Sequence, residues 1–234
     1  MSIIGIIPAK GGSKGIKNKN LVSFCGKPLI YWTIRQALES RIEKLYVSTD
    51  DEEIAERALE YGAEIAVRPV RLAQDGSSSE EAILYTIDMN NIVDDDLIVF
   101  LQCTSPLRIA DDINQCIELL DYSLMVPRMQ IRIKKADSLF SASILKDSTV
   151  WEFDGELKGA LFDPLDRSIM RQDRKKYYYE NGSIYCFYAG GIRKAKNRLH
   201  GEIRAYLMPF WKSFEIDEYD DIELCEYYFK KYLL

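Results

Sequence analysis

Over residues 3–120, short apolar runs alternate with helical patterns, and the links between them are brief. That rhythm leaves few folds open. Strand, helix and strand in repetition build right-handed crossover units, and hence an α/β fold with a mostly parallel sheet and helices on both faces. Ile3-Ile4-Gly5-Ile6-Ile7 has the size and β-branched content of a buried strand. Pro28 opens a helix to about Ser40, with Ile30, Ile34, Ala37 and Leu38 near helical spacing. Lys44–Ser48 reads as a second strand. Thr49 to Glu53 supplies an N-cap and an acidic first turn to a helix that Gly62 stops. Strand Ile65–Val67, helix Ser77–Met89, buried strand Leu97–Leu101 and helix Asp111–Leu120 complete the series.

Beyond residue 120 the rhythm breaks. Strands are expected at Ser138–Ile144, Gly182–Tyr188, Ile203–Met208 and Lys212–Ile216, with a closing helix over Tyr219–Leu234. Trp151–Gly159 reads as a hairpin turning on Asp154-Gly155. Pro164–Lys176 is basic and polar, and is read as a mobile loop. The chain is thus expected to be a single domain over residues 1–234. Its second half decorates the sheet and offers a subunit interface, with an inserted region at about 125–180.

Four clusters carry candidate chemistry. The first follows the opening strand, in Lys10-Gly11-Gly12-Ser13-Lys14-Gly15 and on through Lys17, Lys19 and Asn20. Glycines let backbone N–H groups approach an anion, and lysines add point charges, so the loop is a candidate polyphosphate cradle. It has neither the GxxxxGK[ST] nor the GxGxxG spacing. Its weight comes from its place, since ligands of open α/β sheets gather outside the carboxyl ends of strands.

The second cluster is Arg68-Pro69 with Asp75-Gly76-Ser77-Ser78-Ser79. An arginine at a strand end hydrogen-bonds a base or sugar, and a serine-rich helix start presents N–H groups and hydroxyls. The third is Gln102-Cys103-Thr104-Ser105-Pro106-Leu107-Arg108, where polar side chains abruptly follow a buried strand. The fourth is Glu215-Ile216-Asp217. Read as a strand, it sends both carboxylates to one face, where they suit a hard cation such as magnesium. Asp220 and Asp221 read as the acidic start of the last helix. Arg167, Arg171, Arg174, Lys175 and Lys176 form a charge run that suits either a phosphate or a solvated face.

The net charge of −6 makes nucleic acid an unexpected partner and sets the basic loop apart as a local anion site. No signal-peptide pattern opens the chain and no stretch is long and apolar enough to span a bilayer, so a cytoplasmic protein away from membranes is expected. The five cysteines are scattered without CxxC spacing, as expected of reduced core thiols. The single histidine, His200, has no metal-site or triad partner in sequence.

In this order, IIPAKGGSKGIKNKN, GKPLIYWTI, VSTDDEEIAERALEYGAE, RPVRLAQDGSSS, LQCTSPLR, ENGSIY and FEIDEYDD resemble the acylneuraminate cytidylyltransferases, or CMP-sialic acid synthetases. The motifs span nearly the whole chain. The opening loop differs from that of the related enzymes that activate Kdo. The resemblance implies a Rossmann-like nucleotidyltransferase fold, a homodimer with a smaller exchanged dimerisation or cap lobe, and a magnesium-dependent reaction of CTP with a nine-carbon 2-keto sugar acid. It implies that Ala9, Lys10, Gly11, Ser13, Lys14, Lys19 and Asn20 hold the nucleotide, with Arg68, Ser78 and Ser79 near base and ribose. Lys10, Lys14, Lys19 and Asp217 are the implied catalytic set, and Glu215 and Asp217 the metal carboxylates. Gln102, Thr104, Ser105, Arg108, Arg171, Tyr179, Asn181 and Tyr185 would face the sugar.

The chain departs from the family pattern at Lys10 (usually arginine), Glu215 (usually aspartate) and Cys103 (usually proline). Tyr179 stands where some N-acetylneuraminate enzymes carry arginine, which leaves legionaminate, pseudaminate or Kdn as alternative acceptors. A nucleotide-binding regulator without turnover is the alternative from another class.

Overall fold

The computed structural model describes residues 1–13, 15–74, 76–121, 124–126, 131–133, 135–146, 151–153, 157–159 and 175–234. Lys14, Asp75, Arg167, Arg171, Arg174 and the Asp154-Gly155 turn lie outside the described residues.

Seven strands form one sheet: β1 (Ile3–Pro8), β2 (Lys44–Thr49), β3 (Glu64–Val67), β4 (Leu97–Leu101), β5 (Ser138–Ile144), β6 (Tyr178–Tyr188) and β7 (Ile203–Leu207). Their spatial order is β7-β5-β6-β4-β1-β2-β3. β4, β1, β2 and β3 are mutually parallel, as is β7 to β5, while β6 runs antiparallel to both of its neighbours. The helices are α1 (Leu29–Leu38), α2 (Glu52–Glu60), α3 (Ser79–Met89), α4 (Ala110–Asp121), α5 (Ala189–Ala195) and α6 (Tyr219–Tyr232).

Alternation along the central strands builds two cores. Ile3, Ile7, Leu97, Val99 and Leu101 face α1, α2 and α4, in a cluster with Ile30, Ile34, Ile54, Ile113 and Ile117. Ile4, Ile6, Ile98 and Phe100 face α3 and α5, meeting Ile83, Ile87 and Ile192. Burial on both faces explains why these strands read as continuous apolar runs. A third cluster joins Ile16 of the glycine loop and Ile216 of the acidic segment to Phe24, Leu29, Cys225 and Phe229. Three small antiparallel pairs, Ser23–Phe24 with Lys27–Pro28, Leu124–Val126 with Ile131–Ile133 and Trp151–Phe153 with Leu157–Gly159, stand apart from the main sheet.

Two expectations need correction. Lys212–Ile216 is not a strand: Phe210–Ser213 is a 3-10 turn, and the chain then runs without regular structure into α6. β6 begins at Tyr178, before Gly182, with a register shift between Glu180 and Tyr185. The short helix α5, which the sequence does not announce, carries Gly190 and Gly191, where added Cβ atoms would strike Asp94 and His200.

Candidate active site

A cavity of about 560 Å³ opens at the carboxyl ends of β1, β3 and β4, where Pro8, Arg68 and Gln102 line it. The glycine loop contributes Lys10, Ser13, Gly15, Lys19 and Asn20 to its wall, and Ser78 and Ser79 come from the head of α3. Thr104 and Asp217 complete the set of expected residues that reach it. Ser78 caps α3 by accepting from the N–H of Glu81 (3.1 Å), while Glu81 accepts from the N–H of Ser78 (3.2 Å). This box leaves the helix's positive end beside the cavity.

The basic loop and the acidic segment, almost two hundred residues apart, meet here. Lys19 Nζ donates to Asp217 Oδ1 at 2.8 Å and to the Ile216 carbonyl at 3.1 Å. The Ile16 and Ile216 side chains share the third core, so apolar burial brings the two segments together and the ion pair forms above it. A Cβ on Gly15 would sit 2.5 Å from the Asp217 carbonyl oxygen, an approach only glycine permits. Asn20 steadies the loop from within, its Nδ2 donating to the Lys10 carbonyl at 3.0 Å.

Arg68 is buried. It donates from Nη2 to the Ser48 carbonyl (2.8 Å) and from Nε to Ser48 Oγ (3.3 Å). Burial lowers its pKa, and the charge of Asp50 works the other way. Glu215 is half-buried, with Oε1 3.5 Å from Ser105 Oγ and packed against the Cα of Gly182. Burial and the negative charge of Asp217 raise its pKa, while the Ser105 hydroxyl, Lys19 and Arg108 oppose the rise.

Several expected contacts fall elsewhere. Arg108, read as facing the sugar, is fully buried and bonded to backbone carbonyls. Asn181 is likewise a core side chain, hydrogen-bonded to Ser141, Ser143 and the Met208 sulfur. Tyr185 packs against Phe100 in the second core, with its hydroxyl donating to Glu180 at 2.9 Å. The Tyr179 hydroxyl donates to Ser213 Oγ at 2.7 Å. Ser105 is buried behind the cavity. Gly11 gives its N–H to Asp50 (3.1 Å) rather than to the cavity, and Ala9 belongs to the first core. Sequence reading missed Leu72, Gln74, Ala82 and Glu218, which line the cavity; Gln74 and Glu218 adjoin clusters already singled out.

Among the described residues no group of three or more His, Cys, Asp and Glu stands ready for a metal. Glu215 and Asp217 do not share a strand face as expected: Asp217 lines the cavity, while Glu215 stands behind it against Ser105 and Gly182, close enough for the charge of Asp217 to be felt, a repulsion that a divalent cation would relieve. That donor set fits magnesium if phosphate oxygens and water complete it. The cysteines are free; burial pushes the Cys103 thiol up to about 12, so it serves packing rather than nucleophilic chemistry. No described helix is long and apolar enough to cross a membrane.

A doubly wound sheet with a cationic, hydroxyl-lined cavity at its strand ends defines a Rossmann-like nucleotidyltransferase fold. Two solved structures share it. One is CMP:2-keto-3-deoxy-manno-octonic acid synthetase complexed with CTP (TM-score 0.70, 15% identity, 100% of both chains). The other is 4-diphosphocytidyl-2C-methyl-D-erythritol synthase (TM-score 0.68, 11% identity, 97% of both chains). The chain belongs to the cytidylyltransferase family, whose sequence profile matches residues 4–189. It is 32% identical over 223 residues to the N-acylneuraminate cytidylyltransferase of Escherichia coli O18:K1:H7, covering 95% of this chain and 51% of that one. The chain thus spans about half the length of such curated relatives. The pseudaminic acid cytidylyltransferase of Campylobacter jejuni is 29% identical, with 98% of this chain and 97% of that one aligned.

Proposed function

We propose that this chain is a magnesium-dependent cytidylyltransferase that joins CTP to a nine-carbon 2-keto sugar acid of the sialic acid type. The observation that carries the reading is the 2.8 Å contact of Lys19 with Asp217 at the mouth of one cavity. In this reading Lys19 binds the triphosphate and Asp217 the metal, so their contact supports a single centre for both. The anomeric hydroxyl oxygen bonds to the α-phosphorus, the bond from that phosphorus to the bridging oxygen breaks, and pyrophosphate leaves with the electron pair. The hydroxyl proton passes to water. Lys10, Lys14, Lys19 and the N–H groups of the loop neutralise the leaving pyrophosphate, which is most of what phosphoryl transfer asks of a protein. Arg68 and the Ser78-Ser79 helix start hold base and ribose, while Gln102 and Thr104 face the acceptor. Glu215 and Asp217 would hold magnesium, which when bound offsets phosphate charge and acidifies a hydroxyl. A homodimer, with the small antiparallel pairs between residues 124 and 159 in its exchanged lobe, belongs to the same reading.

A second acceptor, pseudaminate, is favoured by the near end-to-end alignment with the Campylobacter jejuni relative. One assay separates the readings. Pyrophosphate release is measured for each nucleoside triphosphate against a panel of sugar acids, with and without EDTA. Release with CTP and one nonulosonic acid, abolished by EDTA, is expected. Tight CTP binding with no release from any acceptor would instead mark a regulator.

A further inference from the structure

Arg108 is fully buried, yet among the described residues no carboxylate is its hydrogen-bond partner. Its Nη1 donates to the carbonyls of Gln102 (2.9 Å) and Ser105 (2.7 Å), and reaches that of Ser183 at 3.4 Å. Its Nη2 donates to Thr33 Oγ1 on α1 at 2.7 Å. Burial lowers its pKa to about 10, which leaves it charged at neutral pH. Asp112 and Glu215 favour its charge without hydrogen-bonding to it, and a buried cation is an expensive way to fill space. What this one accomplishes is geometric. It ties three segments together: the turn after β4, the middle of β6 and the inner face of α1.

The turn it grips is the acceptor wall of the cavity. Gln102 and Thr104 project from it into the cavity, and Gln102 Nε2 also donates to the Gly182 carbonyl at 2.8 Å. The Thr104 carbonyl accepts from the N–H of Ile216 at 2.8 Å, and the Ser105 hydroxyl stands beside Glu215. The nucleotide wall is built differently. It comes from the loop after β1, the exit of β3 and the head of α3, none of which Arg108 bonds.

We propose that Arg108 is a positioning residue for the acceptor half of the reaction. Without touching either substrate, it holds the 102–105 turn, and through it Gln102 and Thr104, in working register. The planar guanidinium can reach several carbonyls and a hydroxyl at once, which an ammonium cannot. The inference rests on the cytidylyltransferase reading and adds a residue to it.

Two variants test it, Arg108→Lys and Thr33→Val, the second acting one bond further from the cavity. CTP affinity is measured by calorimetry, sugar-acid kcat and KM at saturating CTP, and backbone amide exchange by mass spectrometry. Arg108→Lys should lower sugar kcat/KM by about a hundredfold, the order a misplacement of about 1 Å costs. Thr33→Val should lower it by a smaller factor, and Thr33→Ser should restore it. CTP affinity should stay within about twofold in all three, since the nucleotide wall is not gripped by Arg108. Exchange should quicken at residues 103–105 and stay unchanged at residues 10–20. Unaltered sugar kcat/KM in both Arg108→Lys and Thr33→Val, or loss of CTP affinity in step with it, overturns the proposal. If Arg108→Lys does not fold, Thr33→Val decides alone. If the unsubstituted enzyme releases no pyrophosphate with any acceptor, the cytidylyltransferase reading fails. The exchange pattern of Thr33→Val then still decides whether the clamp exists.

Discussion

At Gly182 the backbone turns through φ +68, and a Cβ built there would collide with Glu215 Oε1 and crowd Gln102 Nε2 at 3.2 Å. Gly26 has a similar φ, +79, and nothing within 4 Å of its Cβ position. The pair separates two effects that usually come together. Alanine at either position meets the left-handed penalty of about 1–2 kcal/mol. Only Gly182→Ala also pushes a carboxylate and an amide out of the acceptor wall. Both variants should lose similar stability in urea, while Gly182→Ala alone loses turnover, by at least about tenfold. Equal activity of the two would show that the Glu215–Gly182 contact is incidental. Residue identity made some of this legible and hid the rest. Gln102 reaches the cavity as its place after a buried strand suggests, but Arg108, read from the same run of polar residues, points the other way. Spacing within a turn does not say on which side of it a side chain leaves.

The elements of the first half were legible because each carries its own periodicity and its own stop. β1, β2 and β4 lie where apolar runs put them, and α2 ends two residues before Gly62, whose positive φ turns the chain away. The segment before α6 misled for a physical reason. Lys212, Phe214 and Ile216 alternate with polar neighbours as a half-buried strand would, but Lys212 is one half of a buried ion pair. Its Nζ donates to Asp112 Oδ2 at 2.6 Å, with the two side chains 7% and 5% exposed. Asp112 also accepts from the Tyr206 hydroxyl (3.1 Å) and from the Ile109 N–H (2.8 Å). This cluster fastens the acidic segment to the start of α4, a task ladder bonds would do in a strand. Lys212→Met leaves the Asp112 charge buried and short of its partner, and should cost about 3–5 kcal/mol. Urea unfolding reads it as a lower midpoint at unchanged slope. A loss below about 1 kcal/mol would mean that the pair behaves like a surface bridge.

At the scale of the whole molecule, the site exists only once the chain has closed. Its cationic loop and its acidic segment come from opposite ends of the sequence, and β6 enters the sheet between β4 and β5 out of chain order. No local pattern carries either fact; the order of motifs across the chain conveyed the first and nothing conveyed the second. Closure has a thermodynamic consequence. A ligand that binds only the assembled cavity stabilises the entire fold, by about 2.7 kcal/mol at a hundredfold excess over Kd. For a chain of this size that is a rise in Tm of roughly 5–10 °C. CTP should produce such a shift. Magnesium alone should produce far less, because Lys19 already occupies Asp217. Lys19→Met isolates the cause. Asp217 is 67% exposed, so breaking its bridge to Lys19 should barely move the melting point of the free protein. The same substitution takes a positive charge from the triphosphate, so the CTP-induced rise should shrink to a fraction of its former size. A full rise in Lys19→Met would place the triphosphate away from the loop, and with it the chemistry assigned to this cavity.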